Sequence, residues 1–157
     1  MINARAETVD TKPAYRAAFK YRRCLIPTEG FYEWKAGPHG KQPYLIQTQD
    51  QRPFAMAGLW EHWQDPNGNE LESCTIIVTE ANDRIRPIHD RMPLLIAPEH
   101  YREWLDPRLQ TPAQLRPLLV PDQTHRWRLQ PVSKRVNSPR NDDATLIEPL
   151  PDGEGED

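Results

Sequence analysis

Long apolar runs and cysteines are scarce in this chain of 157 residues. No stretch approaches the roughly 20 apolar residues that cross a bilayer, so we expect neither a membrane-spanning helix nor a membrane partner. The two cysteines, Cys24 and Cys74, are too few for a disulfide framework and lack the CxxC spacing of zinc or redox sites. Both lie in strand-like runs, which predicts buried structural thiols. This usage favours a cytoplasmic location and predicts no bound metal.

The familiar short motifs of enzymes are absent as well. The sequence contains no GxxxxGK[ST] phosphate loop, no GxGxxG, no HExxH and no GxSxG. No cofactor is therefore predicted, and the residues that carry chemistry have to be sought in less common patterns.

Proline, in contrast, is abundant. The chain has 17 prolines, about 11% of its residues, against a usual share of roughly 5%. Because proline breaks helix interiors and central strands, we expect short elements joined by stiff loops, and a helical bundle is excluded. A chain of this length can bury one core, so we predict a single domain over residues 1–149.

Charge is distributed unevenly along the chain. Residues 141–157 hold seven of the 23 acidic residues and none of the 20 basic ones, so residues 1–140 carry 20 bases against 16 acids, a formal charge of +4. Acidic blocks with Gly and Pro usually stay disordered, so residues 150–157 are predicted to be a disordered tail. The mildly basic body is compatible with a nucleic-acid partner without requiring one.

The pattern of apolar residues and turns predicts many short strands and a few peripheral helices. Strands are predicted at Arg23–Pro27, Phe31–Lys35, Pro43–Thr48, Phe54–Glu61, Ser73–Thr79 and Trp127–Val132, with a further one at Ala144–Ile147. Short helices are predicted at Thr11–Phe19, Pro98–Leu105 and Thr111–Arg116. This content indicates an α+β, sheet-dominated fold that is barrel-like.

Three polar segments are candidates for chemistry. In the first, Asn3, Arg5 and Glu7 alternate with apolar residues, so in an extended chain all three point the same way. A neighbouring amide and guanidinium can hold a phosphate or a carbonyl oxygen. The same alternation is typical of an edge strand with one face in water, and the pattern alone leaves both interpretations open.

The second segment, GFYEW, places Glu33 in an aromatic run. A carboxyl group in apolar surroundings holds its proton more tightly, which suits a general acid or base. The alternative is a half-exposed strand whose glutamate reaches water. The neighbouring Trp34 is interpreted as a core residue in preference to a platform for base stacking.

The third segment, RIRPIHDRMP, carries His89 and Arg91 between two prolines that predict a rigid, non-helical loop. An imidazole beside several guanidiniums suits recognition of an anionic backbone with proton transfer next to it. The alternative is a structural histidine bonded to Asp90 or to the backbone. Metal binding is disfavoured, because no other histidine has paired ligand spacing.

Together these segments resemble the SRAP (SOS-response-associated peptidase) family. The strings INARAET, CLIPTEGFYEW, IIVTEAN, PIHDRMPLLI and PVSKRVNSPRND occur in order, and the resemblance runs from Ile2 to about Pro149. It implies a compact α+β, β-rich fold with a curved, barrel-like antiparallel sheet and short peripheral helices. It also implies a positively charged groove that binds single-stranded DNA containing abasic sites.

The resemblance further implies a mechanism and roles for five residues. An N-terminal cysteine attacks the ring-opened sugar aldehyde of an abasic site, forms a Schiff base and closes to a stable thiazolidine crosslink. By position, Asn3 matches the asparagine at the sugar, Glu33 the glutamate near the cysteine amine and His89 the histidine that assists ring opening and crosslink reversal. Arg5 and Arg91 match arginines that hold the flanking phosphates.

One position departs from the family pattern. Ile2 stands where the family has its cysteine, and neither Cys24 nor Cys74 can replace it, because a thiazolidine needs the α-amine and the thiol of one residue. We therefore expect the chain to be N-terminally incomplete and inactive in crosslinking as it stands. Two alternative functions are a non-catalytic module that binds single-stranded DNA and a thiol autopeptidase-type activity.

Overall fold

The computed structural model describes residues 3–38 and 40–151. The described strands and α-helices are β1 (Asn3–Arg5), α1 (Arg16–Tyr21), β2 (Arg23–Thr28), β3 (Phe31–Gly37), β4 (Gly40–Thr48), β5 (Phe54–Gln64), β6 (Glu70–Glu80), β7 (Arg91–Pro93), β8 (Leu95–Ile96), α2 (Tyr101–Leu105), α3 (Pro112–Leu115) and β9 (Trp127–Pro131). Short 3-10 helices lie at Pro98–His100, Arg116–Leu118, Lys134–Asn137 and Ala144–Ile147. The predictions about Ile2 and about residues 152–157 of the acidic tail lie outside the described residues.

The chain forms two compact units. Unit 1 is built from residues 1–28, 54–80 and 91–122, and unit 2 from residues 29–53, 81–90 and 123–157. Each unit contains one β-sheet. The single domain over residues 1–149 stays a prediction.

The sheet of unit 1 has the strand order β1-β6-β5-β2, with β7 also paired to β6 and β8 to β5. Strand β1 is parallel to β6, with Asn3 opposite Ile76, and the other pairs are antiparallel. The β5–β6 hairpin turns at Asp65, whose carboxylate accepts the main-chain N–H groups of Asn67 and Asn69, both at 2.8 Å. This side chain thus replaces backbone partners that the turn leaves open.

The core of unit 1 joins its sheet to its helices. Buried side chains from β1, β5, β6, β8 and the three α-helices form one cluster, together with residues from the connecting loops. Within it, Phe19 of α1 and Trp104 of α2 meet edge to face with ring centroids 6.2 Å apart. Aromatic pairs prefer this geometry over stacking face to face, because the positive ring edge meets the negative ring face.

Arg23, the first residue of β2, is buried at 7% exposure. Its guanidinium donates hydrogen bonds to four main-chain carbonyl oxygens, those of Phe19 (2.6 Å), Lys20 (3.0 Å), Trp104 (2.6 Å) and Asp106 (2.5 Å). The last turn of a helix leaves carbonyl oxygens without intrahelical partners, and here one side chain satisfies such groups at the ends of α1 and α2. Burial lowers the pKa of Arg23 from its ordinary value, and the charge of Asp106 partly offsets this.

The sheet of unit 2 is antiparallel throughout, with the strand order β3-β4-β9. Phe31 of β3 contacts Trp127 of β9 edge to face, with ring centroids 6.0 Å apart. The chain after β9 returns to the sheet, where the Gln130 side-chain amide donates to the carbonyl oxygen of Ile147 at 3.0 Å. Leu146, in the same 3-10 turn, is buried.

The predicted α+β, sheet-dominated class is confirmed, because short helices accompany two sheets that carry all nine described strands. Neither sheet closes into a barrel among residues 3–38 and 40–151. The first sheet is mixed instead of purely antiparallel, since β1 runs parallel to β6. A parallel pair needs a long crossover, and nothing local in the sequence marks which distant strand β1 joins.

Three local predictions are wrong. Ala144–Ile147 is a 3-10 helix instead of a strand, because the Asp143 side chain caps it by accepting the N–H of Thr145 at 3.1 Å. The α-helix predicted from Thr11 begins only at Arg16, after a turn. Cys74 is exposed, since the first half of β6 has its side chains in water, and Cys24 on β2 is half buried.

Arg23→Met is expected to lower the free energy of unfolding by about 3 kcal/mol or more, because it removes the hydrogen bonds of a buried guanidinium to four carbonyl oxygens. Of these, the oxygen of Asp106 keeps the N–H of Leu109 as a donor. Urea denaturation measures the loss. The matched control is Arg22→Met: Arg22 pairs with Glu61 at 2.6 Å on a more exposed surface, and its loss is expected to stay below about 1 kcal/mol. Equal losses in the two variants would contradict the role given to Arg23.

Candidate functional site

Glu33 lies in the middle of β3, opposite Tyr44 of β4. The strand begins tightly packed, because a Cβ atom at Gly30 would lie 2.8 Å from Cγ of Gln47 and 2.9 Å from the carbonyl oxygen of Ile46. Any larger residue would push the start of β3 away from β4. The glycine of GFYEW therefore sets the close approach that fixes the strand carrying Glu33.

The Glu33 side chain is 22% exposed. Burial raises its pKa above the ordinary value, because desolvation disfavours the charged form. The charge of His89, the main-chain N–H of Trp34 and the charge of Lys41 oppose this shift, whereas the charge of Asp90 adds to it. The partly buried position of Glu33 in unit 2 is consistent with the predicted carboxyl group that holds its proton more tightly, and its role as an acid or base stays a prediction.

A turn-rich loop, residues 81–90, carries His89. The buried Asn82 accepts the N–H of Ile85 through its side-chain oxygen at 3.1 Å, and the Ile85 carbonyl accepts the N–H of His89 at 3.1 Å. The N–H of Ala81 donates to the carbonyl oxygen of Asp90 at 2.9 Å, which closes the loop at its base. Turn hydrogen bonds of the helical i to i+4 type thus hold His89, in addition to the two prolines.

The imidazole of His89 faces two carboxylates of unit 2. Its Nδ1 atom lies 3.4 Å from Oδ1 of Asp90 and 3.9 Å from Oε2 of Glu33. Both distances exceed an ordinary hydrogen bond, and each contact is an ion pair only when the imidazole is protonated. The His89 side chain is 41% exposed and that of Asp90 83%, which leaves the imidazole accessible to solvent. The arrangement offers one proton donor of raised pKa and one imidazole that can accept or donate.

Asn3, Arg5 and Arg91 lie in unit 1. Asn3 and Arg5 are exposed on β1 while Ala4 between them is buried, as the alternation predicts. The hydroxyl of the buried Tyr15 donates to the main-chain carbonyl of Asn3 at 3.0 Å, which fixes the strand that presents both side chains. The structure thus groups Glu33 with His89 in one unit and the asparagine with the two arginines in the other.

Trp34 is half buried instead of a core residue. Its indole N–H donates to the Oδ1 atom of Asn137 at 2.7 Å, and its ring lies 6.4 Å from that of Tyr32. Asn137 belongs to the PVSKRVNSPRND string, which pattern reasoning left without a role.

Two features of the site were missed by sequence reasoning, namely the turn hydrogen bond of Asn82 and the pairing of Glu7 with Arg91. Asn82 could have been found, because an asparagine directly before a turn commonly accepts the N–H groups of that turn. The ion pair of Glu7 with Arg91, 2.6 Å between Oε1 and Nη1, has no local signal, because the two residues are 84 positions apart.

Among residues 3–38 and 40–151, no cluster of three or more His, Cys, Asp or Glu side chains is arranged to hold a metal ion. No helix in this described part of the chain has the length and apolarity to cross a bilayer.

Known proteins resemble this chain along most of its length. The abasic site processing protein YoqW of Bacillus subtilis (strain 168) is 45% identical over 149 residues, which cover 94% of this chain and 66% of YoqW. The abasic site processing protein HMCES of Xenopus tropicalis is 37% identical over 160 residues, covering 88% of this chain and 47% of HMCES. YedK of Escherichia coli (strain K12), also an abasic site processing protein, is 31% identical over 153 residues, covering 96% of this chain and 68% of YedK.

The fold is shared with solved structures too. A crystal structure of a protein from Bacteroides thetaiotaomicron superposes with a TM-score of 0.85 at 32% identity, covering 94% of this chain and 65% of that protein. The chain thus spans 66% of the length of YoqW and 47% of that of HMCES. The sequence profile described as SOS response associated peptidase (SRAP) matches residues 1–139, which confirms the resemblance drawn from the motifs. The profile matches most of the chain, and 94% of the chain aligns with YoqW at 45% identity, so the chain belongs to the SRAP family.

Proposed function

We propose that this chain forms the part of an abasic-site processing protein that supplies proton transfer and phosphate contacts on single-stranded DNA. The observation that carries the proposal is the largely buried Glu33 carboxyl, its pKa raised, beside the imidazole of His89. The names of YoqW, HMCES and YedK, all abasic site processing proteins, support the same substrate class.

In the proposed reaction, the α-amine of an N-terminal cysteine adds to the aldehyde carbon of the ring-opened sugar. The carbinolamine loses water, and the cysteine thiol then adds across the C=N bond to close a thiazolidine ring. The amine and the thiol belong to one residue, which allows the ring to close. The two additions and the loss of water need no oxidant or reductant. The test supplies this cysteine on a segment placed before Asn3.

The residues of this chain act on protons and on the backbone of the DNA. Glu33 donates a proton to the departing hydroxyl, because a carboxyl group of raised pKa stays protonated nearer to neutral pH. His89 takes the proton of the anomeric hydroxyl as the C1′–O4′ bond breaks and passes it to the ring oxygen, and in reversal it carries a proton the other way. The amide of Asn3 bonds the sugar oxygens, and Arg5 and Arg91 bind the flanking phosphates.

The chain with a Cys-bearing segment of a family member placed before Asn3 is expected to form a heat-stable adduct with abasic single-stranded DNA on a denaturing gel. Glu33→Gln and His89→Ala are each expected to slow adduct formation by about 100-fold or more, the usual contribution of general acid–base catalysis. The matched control is His100→Ala, which removes an exposed imidazole paired with Glu103 at 3.1 Å and keeps the rate. Absence of the adduct, or wild-type rates in both variants, would refute the mechanism.

The raised pKa of Glu33 also predicts a pH dependence of stability. The folded chain holds this proton more tightly than the unfolded chain, so the ionisation of Glu33 destabilises the fold as pH rises through the folded pKa. Glu33→Gln is therefore expected to raise the urea midpoint at neutral pH, with no gain below the ordinary carboxyl pKa. Asp90→Asn removes a charge that raises the folded-state pKa of Glu33, so the loss of stability is expected to be smaller and to be complete at lower pH than in the wild type.

The control for this measurement is Glu148→Gln, which neutralises an exposed glutamate of the same unit. It is expected to leave the urea midpoint within experimental error at every pH. A Glu33→Gln chain that is no more stable than the wild type at neutral pH would be the contrary result.

The exposed Arg5 of β1 favours a second candidate function, binding of single-stranded DNA without crosslinking. The 157-residue chain is expected to bind a labelled single strand with an affinity that falls steeply with salt. Arg5→Ala is expected to lower the slope of log K against log salt by about 0.7, the value for one phosphate contact on a single strand. Arg108→Ala, whose guanidinium is already paired with Asp106 at 2.8 Å, serves as control. Identical slopes in the two variants would reject a phosphate contact at Arg5.

A further inference from the structure

Glu7 and Arg91 form a short ion pair within unit 1. Oε1 of Glu7 lies 2.6 Å from Nη1 of Arg91, a charge-assisted hydrogen bond, and the two side chains are 44% and 24% exposed. Exposed ion pairs of this kind add little to the stability of a fold. The pair is therefore better explained by its effect on the orientation of the Arg91 guanidinium.

The backbone around Glu7 is fixed on both sides. The N–H of Ala6 donates to the carbonyl oxygen of Val78 at 2.8 Å, and the N–H of Thr8 donates to the carbonyl oxygen of Arg5 at 3.1 Å. Val9 is fully buried in the core. The Glu7 carboxylate therefore extends from a rigid turn instead of a mobile loop.

Arg91 has a fixed backbone and a long side chain. It lies opposite Glu80 in the β6–β7 ladder, and its neighbour Met92 is fully buried opposite Thr79. An unpaired arginine side chain samples many rotamers and loses that freedom on binding. A partner that holds the guanidinium beforehand removes this entropic cost from the binding step.

The pair links two strands that are not hydrogen-bonded neighbours in the sheet. Val78 of β6 has Arg5 of β1 as its partner on one edge and Pro93 of β7 on the other. Glu7 lies two residues after the end of β1. Its contact with Arg91 therefore links β1, on one edge of β6, to β7, on the other edge.

We propose that Glu7 is a positioning residue, which holds the guanidinium of Arg91 in the orientation that binds a DNA phosphate. The inference rests on the proposed function, in which Arg91 contacts the DNA backbone. It assigns a role to the glutamate of the INARAET string that the proton-transfer mechanism leaves without one.

The sign of the effect on DNA affinity tests the proposal. By charge alone, removing an acid next to bound phosphates tightens binding. Positioning predicts the opposite: Glu7→Ala in the 157-residue chain is expected to weaken binding of a labelled oligothymidylate with one abasic site by about three- to tenfold. The matched control is Glu80→Ala, which removes the acid opposite Arg91 in the strand ladder and is expected to bind as tightly as wild type or tighter.

Two conservative variants separate reach from charge. Glu7→Gln keeps the length and a hydrogen-bond acceptor, and is expected to retain most of the affinity. Glu7→Asp keeps the charge but is one methylene too short for the 2.6 Å contact, and is expected to bind as weakly as Glu7→Ala. Tighter binding by Glu7→Ala, or full affinity in Glu7→Asp, would overturn the proposal.

A double-mutant comparison and a spectroscopic measurement isolate the pair. In an Arg91→Ala background, Glu7→Ala is expected to change affinity no further, and a loss that persists there would overturn the proposal. Without DNA, the Arg91 side-chain NH resonance is expected to be sharp in wild type and Glu7→Gln and exchange-broadened in Glu7→Ala. An unchanged resonance would also overturn it.

Failure of the proposed function gives a different result. Arg91→Ala would then bind DNA with unchanged affinity and an unchanged salt slope, whatever Glu7 does to the Arg91 resonance. Failure of the positioning role alone leaves Arg91→Ala weakened and Glu7→Ala intact.

Discussion

The buried guanidinium of Arg23 is the constraint on which unit 1 depends. One planar cation meets four carbonyl oxygens from two helix ends that are about 80 residues apart in the chain, as the separation of 81 between Arg23 and Trp104 shows. The guanidinium is the donor to the oxygens of Phe19, Lys20 and Trp104, whereas that of Asp106 also accepts the N–H of Leu109 at 3.1 Å. The one side chain thus ties the end of α1 to the end of α2. Their aromatic residues Phe19 and Trp104 are thereby brought into contact.

This constraint extends to the candidate site. The segment that leads into α1 contains Tyr15, whose hydroxyl holds the main chain of Asn3, so the position of β1 follows from the position of the helix. Strand β6 then carries β1 on one edge and β7 on the other, which sets Arg5 and Arg91 on a common frame. Arg5 is exposed on one flanking strand, and Arg91 on the other is part-buried in its ion pair with Glu7. These are the two guanidiniums to which the proposed function assigns phosphate contacts.

In unit 2, the partly buried carboxyl group of Glu33 lowers the stability of the fold when it ionises, in contrast to the stabilising guanidinium of Arg23 in unit 1. The Glu33 carboxyl group on β3 is partly buried, which disfavours its charged form, and β3 starts at Gly30, where it approaches β4 closely. Asp90 adds a second negative charge near the same imidazole. Such an arrangement disfavours the ionised form of Glu33 in the folded chain, and the same burial gives a carboxyl group that holds its proton more tightly.

Much of the local structure could be predicted from the sequence. Prolines and glycines predicted the positions of turns. The two-residue alternation predicted that Asn3 and Arg5 lie on the exposed side of β1. The aromatic run around Glu33 indicated a carboxyl group in apolar surroundings. These properties depend on neighbouring residues alone, so a short window of sequence contains them. The boundary of α1 and the 3-10 turn at Ala144–Ile147 were missed, because side-chain and turn hydrogen bonds outweighed apolar periodicity there.

The remaining features were decided by the tertiary structure. Arg23 looks like any basic residue until two distant helix ends meet it, Cys74 is exposed because the outer half of its hairpin lies in water, and Glu7 finds Arg91 across 84 positions. Charge pairing and burial are properties of three-dimensional contacts, and a single sequence carries no local record of which distant residues will meet. The sequence by itself determined the elements and the residue types of the site, and the tertiary structure decided which charges are buried, which are paired and which remain exposed to solvent.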